Sequence, residues 1–168
     1  MRTAPTVTPA ILEALYEEAL CLTEAARAEF SMTRTTHTPL RAVRNAGGPA
    51  AVSDKRTSER MALSCEALRT TTRLMHAMAW LLNFRAYFNG ELDAFQLRRF
   101  GRLPAAQPAS SAEELAALSA PARAVVEASC IFYARLARLD RAFYRDEETA
   151  SPTLEHLHSR IGRAFAAG

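Results

Sequence analysis

Between Met61 and Ala86, small or apolar residues recur at alternating steps of four and three: Met61, Cys65, Leu68, Thr72, Met75, Ala79, Leu82 and Ala86. A repeat averaging about 3.5 residues holds one stripe of a long helix to the same side over many turns. The pattern predicts that this stripe is the inward spine of a helical bundle. Ser53 or Asp54 can cap the helix, and Gly90 can supply the left-handed residue beyond its end at Asn89. At 1.5 Å per residue the element spans roughly 50 Å.

The remaining pattern predicts two further long helices. The first starts at Thr8, with Pro9 in the first helical position, and runs to Phe30; Leu12, Leu15, Ala19, Leu22, Ala26 and Phe30 form its inward stripe. Residues 31–52 contain Pro39, Gly47, Gly48 and Pro49 and read as a flexible loop. A short helix capped by Asp93, with Gln96 three residues on, ends at Phe100–Gly101, and residues 102–108 form a linker. Ser110 and Ser111, followed by Glu113 and Glu114, are overlapping capping boxes for the third long segment. Pro121 kinks or restarts that segment, with Ser119 as a new cap. Val125, Ser129, Phe132, Leu136, Leu139 and Phe143 then repeat the four-three spacing, and the helix is expected to fade at Asp146–Glu148. Leu154, Leu157, Ile161 and Phe165 mark a short amphipathic helix in the tail, which is marginal alone and needs a surface to dock on. No strand-like alternation is present, so the expected fold is all-α: a three-helix bundle of long antiparallel helices, a short connecting helix and a C-terminal tail, with residues 1–148 as the domain and 149–168 as a mobile or docking tail.

The second helix changes character along its length. Opposite the spine, its first half carries Arg56, Glu59, Leu63 and Glu66, a face that reads as solvated. Its second half carries Leu74, Ala77, Leu81, Phe84 and Phe88 there, so it is apolar on two sides and must be covered twice. The cover is either the short helix with the tail, or a second copy or partner protein. Beside the spine run Arg69, Arg73, His76, Trp80, Asn83 and Tyr87. Trp, Tyr and Arg in one stripe suit a docking surface; Trp80 alone also reads as a core anchor whose indole N–H bonds a backbone carbonyl. The candidate interface is therefore Arg73, Leu74, His76, Trp80, Leu81, Phe84, Tyr87 and Phe88.

Composition narrows the class. Of 168 residues, 49% are hydrophobic and 23% charged, an ordinary globular balance with length enough for a core. Net charge is +3, too small to make nucleic acid the main expectation, and Lys55 is the one lysine. The predominance of arginine suits bidentate contact with carboxylates or phosphates, although a GC-rich coding sequence accounts for it equally well. Arg135, Arg138, Arg141 and Arg145 share the outer side of the third helix; Arg98, Arg99 and Arg102 cluster at the end of the short one. Both sets read as solvated faces, able to meet an acidic protein patch. Cys21, Cys65 and Cys130 are widely spaced and odd in number, as expected of reduced, near-core thiols in a cytoplasmic protein. The N-terminal residues lack a signal-peptide apolar run, and no segment offers the ~18 apolar residues of a membrane span.

Catalytic chemistry is not predicted. His37, His76, His156 and His158 are scattered, and His156-x-His158 is not a helical ligand pair. No phosphate-cradling glycine loop occurs, and no histidine is placed to activate Cys65. No cofactor or metal is expected.

Two stretches carry a resemblance. Residues 70–91, TTTRLMHAMAWLLNFRAYFNGE, are similar to the signature of the RcdA-type proteins of alphaproteobacteria, with Trp80, Arg85 and Gly90–Glu91 in register. Residues 129–141, SCIFYARLARLDR, resemble that family's Y-A-R…R-L-D segment. His76 and Phe84 depart from the usual pattern. The resemblance implies a dimeric three-helix bundle without chemistry of its own. It would act as an adaptor by which the ClpXP protease, primed by a CpdR-type response regulator, degrades cell-cycle regulators such as CtrA. It also implies a functional tail, placing Leu154, Leu157, Ile161 and Phe165 as docking residues, and recruitment to the cell pole. Such an adaptor works by raising local substrate concentration. The competing readings are a DNA-binding or nucleoid-associated helical protein and a structural oligomerisation bundle.

Overall fold

Thr8 begins the first helix, α1 (Pro9–Thr36): its Oγ1 accepts the Ile11 N–H at 3.3 Å, and Pro9 follows where a missing N–H costs nothing. In the computed structural model, residues 7–36, 50–105, 108 and 110–166 are described, with backbone alone at 32–36, 50–56 and 146–166. The expected stripe Leu12, Leu15, Ala19 and Ala26 is buried, with Leu22 and Phe30 half-buried beside it. α1 continues past Phe30 to Thr36, and α2 (Ala50–Phe88) starts ahead of Ser53, so both helices extend into the segment expected to be a loop; residues 37–49, including His37, lie outside the described residues.

α2 ends as its sequence predicts. Gly90 has φ +76°, its N–H donates to Tyr87 O at 3.0 Å, and the Glu91 N–H donates back to Ala86 O at 2.9 Å, closing the left-handed cap that satisfies the last carbonyls. α3 (Ala94–Phe100) carries the full Asp93/Gln96 capping box, and α4 (Ala112–Ala116) the Ser111/Glu114 box. α5 (Ala120–Ala166) is restarted by Ser119, whose Oγ accepts the Ala122 N–H at 3.2 Å, with Pro121 in the first turn.

α1, α2 and α5 each pack against the other two, while α3 and α4 lie on α2. Among the described residues there is no strand, and the fold is all-α. The main core joins Leu12, Leu15 and Ala19 of α1 to Ala77, Trp80, Leu81 and Phe84 of α2 and Phe132, Leu136 and Leu139 of α5. A smaller cluster of Leu118, Ala122 and Val126 packs with Leu63, Phe30 and Leu115.

Three expectations are corrected. First, the 61–86 stripe is not the inward spine: Met61, Leu68, Met75 and Leu82 are 64%, 69%, 63% and 48% exposed. The core face of α2 is the one through Leu74, Ala77, Leu81 and Phe84, which holds the larger side chains and so buries more apolar area. Its polar first half hid this, because Glu66 is not solvated but 1% exposed and paired with arginine. Second, Cys21, Cys65 and Cys130 are all exposed rather than near-core. Third, the backbone helix of α5 does not stop at Asp146–Glu148 but runs through Pro152 to Ala166. The acidic residues are adequate helix formers, and one missing N–H at Pro152 does not end a helix already propagating. Leu154, Leu157, Ile161 and Phe165 therefore stand on an extension of α5, with side chains outside the described residues.

Candidate protein-binding surface

The exposed stripe of α2 is built by strict sevenfold spacing. Met61, Leu68, Met75 and Leu82 recur every seven residues, with Cys65, Thr72, Ala79 and Ala86 interleaved four residues after each. Cys65 and Ala79 are exposed, Thr72 and Ala86 half-buried. Large side chains alternate with small ones, the arrangement in which knobs of a second helix find holes. From Met61 to Leu82 the stripe runs roughly 30 Å at 1.5 Å per residue. At its N-terminal end Thr57, Arg60, Met61, Ser64 and Cys65 line an open groove of about 430 Å³.

The opposite side of α2 carries the residues predicted as interface, and the fold places most of them inside the chain. Leu74, Arg73, Trp80, Leu81 and Phe84 are buried, at 4%, 6%, 1%, 0% and 0% exposure, so they are not a docking surface. His76 and Tyr87 are half-buried and Phe88 is exposed. Trp80 is the core anchor anticipated for it, with a different partner: its indole N–H donates to the Asp140 carboxylate of α5 at 2.8 Å. Phe84 stacks tilted against it, ring centroids 4.2 Å apart, and meets Phe143 edge-on at 4.9 Å.

What covers this side is the crossover from α2 to α5, held largely by side chains bonding its backbone. Asp140 Oδ1 also accepts the Leu103 N–H at 3.2 Å. Tyr133 donates to Pro104 O at 2.6 Å, Tyr144 to Leu97 O at 3.0 Å, and Asn83 to Phe100 O at 3.2 Å. Burial pushes the Tyr133 hydroxyl above its ordinary pKa, and the negative charge of Asp140 adds to this.

A second polar group anchors α4. Glu66 accepts from Ser110 and, at 3.4 Å, from Arg69, and pairs at 3.8 Å with Arg73. Arg73 also donates to Ser129 of α5 at 2.6 Å. Arg69 reaches on to Glu114 at 3.0 Å. The Ser111 backbone N–H and then Arg69 hold the Glu114 carboxyl below its ordinary pKa, while Glu114 raises that of Arg69. Of the two possible capping boxes, Ser111 takes the cap, and Ser110 is left to bond Glu66. A buried charge needs such partners. The Arg69–Arg73–Trp80–Asn83 stripe is thus internal fastening for the crossover.

Sequence reasoning missed Glu66, Ser129 and Asp140 as members of these networks. Their signal was position: Ser129 lies on the α5 core stripe, and Asp140 follows Leu139 directly on that stripe. Among the described residues no three His, Cys, Asp or Glu side chains converge as a metal site, and no helix is long and apolar enough to cross a membrane.

Residues 3–165 match the family described as protein of unknown function (DUF1465). The chain belongs to that family. The match extends from the residues before α1 almost to the end of α5, so the DUF1465 family comprises the whole helical unit with its crossover. No curated protein and no solved structure matches the chain.

Proposed function

We propose that this DUF1465 protein is a non-catalytic adaptor of the RcdA type, a three-helix bundle that delivers substrates such as CtrA to ClpXP with a CpdR-type response regulator. The observation that carries the protein-binding part is the exposed sevenfold stripe Met61–Leu68–Met75–Leu82. Contiguous apolar surface of this kind marks a site for another protein, and the heptad spacing selects a helical partner. A second copy presents the same stripe, and a two-fold axis lets one seam pack on the other. The sequence resemblance of residues 70–91 and 129–141 supplies the proteolytic context.

The test is turnover of a cognate substrate by ClpXP and its priming factor, with and without the purified chain. Faster degradation at low substrate concentration supports delivery by tethering; turnover independent of the added chain rejects it. Light scattering of the wild type and of Leu68→Glu/Met75→Glu tests the seam separately. A dimer that the charged variant converts to monomer supports the pairing, and an unchanged mass places the dimer contact elsewhere.

A further inference from the structure

The two arginine clusters, far apart in sequence, are drawn together by the crossover. Tyr144 of α5 donates to Leu97 O of α3, and its ring lies under the Arg102 guanidinium, 4.3 Å from carbon to centroid. Leu97 is 1% exposed and pins α3 inward, which leaves Arg98 and Arg99 exposed on the outer side of that short helix. On α5, Arg141 and Arg145 directly follow Asp140 and Tyr144, the two residues that hold the crossover, and are exposed about 100° round the helix from them. Asp140 itself is buried beneath, bonded to Trp80 and Leu103, so it presents little charge to compensate the arginines outside.

Two large aromatic side chains stand on the same short helix. Phe95 and Phe100 are 71% and 65% exposed, and Arg99 lies 5.3 Å over the Phe100 ring. Phe100 is fixed by its backbone, whose carbonyl accepts from Asn83 at 3.2 Å. A one-signed patch with exposed rings is notable on a chain whose net charge is only +3.

We propose that this surface, Arg99, Arg102, Arg141 and Arg145 with Phe95 and Phe100, binds an acidic polypeptide segment bearing large apolar side chains. Guanidinium forks pair carboxylates in two-pronged fashion, and Phe95 and Phe100 bury the apolar residues between them. Charge complementarity selects an anion. The low overall charge and the rings favour a peptide over a nucleic acid, whose affinity rests on many phosphate contacts. The inference is independent of the adaptor reading, since the patch is separate from the α2 stripe and needs no protease.

The experiment is fluorescence anisotropy of the full chain with a labelled peptide alternating Glu or Asp with Leu or Phe. Controls are the same peptide with Lys for each acid and a labelled single-stranded oligonucleotide. The acidic peptide should bind, with affinity falling as salt rises. Arg99→Glu/Arg141→Glu should weaken it by about tenfold or more, and the Lys-containing peptide should gain affinity for that variant. Arg99→Gln/Arg141→Gln, judged folded by circular dichroism, repeats the loss if the charge-reversed protein is unstable. Equal binding of the acidic and Lys-containing peptides, an unchanged affinity in the Gln variant, or preference for the oligonucleotide would each overturn the proposal.

Discussion

The Trp80 indole N–H and the Leu103 backbone N–H share one oxygen, Oδ1 of Asp140, at 2.8 and 3.2 Å. One buried carboxylate thereby ties α2, α5 and the crossover. Asp140→Ala leaves two buried donors without an acceptor and should cost about 2–4 kcal/mol; Asp140→Asn keeps an acceptor and should cost about half as much. Urea unfolding of the two variants measures the difference, and equal losses would mean that the acceptor is not what matters.

The two faces of α2 should respond oppositely to truncation. Leu81→Ala and Phe84→Ala open cavities in the core and should each cost about 2–5 kcal/mol. Leu68→Ser and Met75→Ser, on the exposed stripe, should shift the stability of the single chain by no more than about 0.5 kcal/mol. Their effect should appear instead in self-association, read by sedimentation across a concentration series.

Acid should weaken the fastening of α4. The Glu114 carboxyl is held below its ordinary value of 4.5, first by the Ser111 N–H and then by Arg69, so the folded state favours its charged form. Its contribution is therefore complete above about pH 4.5 and is lost as pH falls through the lower folded value. Glu114→Gln should melt below wild type near neutral pH and approach it in acid. A Tm difference that stays constant down to about pH 3 would show that the charge of Glu114 plays no part.

Two glycines should fail for different reasons. At Gly90 nothing lies within 4 Å of an added Cβ, but φ is +76°, so Gly90→Ala pays conformational strain of about 1–2 kcal/mol. At Gly101 the backbone is ordinary, and an added Cβ would lie 2.6 Å from Leu97 O and 2.5 Å from its Cδ1. Gly101→Ala should cost about 1–3 kcal/mol by overpacking. Gly90→Asn, which tolerates the left-handed region, should recover part of the first loss; Gly101→Asn should recover none of the second. Thermal melts of the four variants separate the two causes.

Local chemistry was legible in the sequence wherever a short-range rule decided it. Thr8–Pro9, Asp93/Gln96, Ser111/Glu114, Ser119 and Gly90 all act at the helix ends their residue types predict. The inner stripes of α1 and α5 followed from spacing, because each of those helices has one apolar side. α2 has two, and periodicity cannot rank them. The choice was made by tertiary contacts that spacing does not encode: the buried Glu66–Arg73 pair and the aromatic stack at Trp80 and Phe84 put the larger face inward. The crossover was equally illegible, since its anchors Asn83, Tyr133, Asp140 and Tyr144 bond backbone atoms far away in sequence.

Trp80 is the single tryptophan of the chain and lies directly under the segment that Asp140 fastens. The intrinsic emission of the protein therefore watches one place only, the joint between two long helices and the strap across them. A red shift on adding a ligand would signal lifting of that strap, while the distant end of α2 could be engaged without the signal moving.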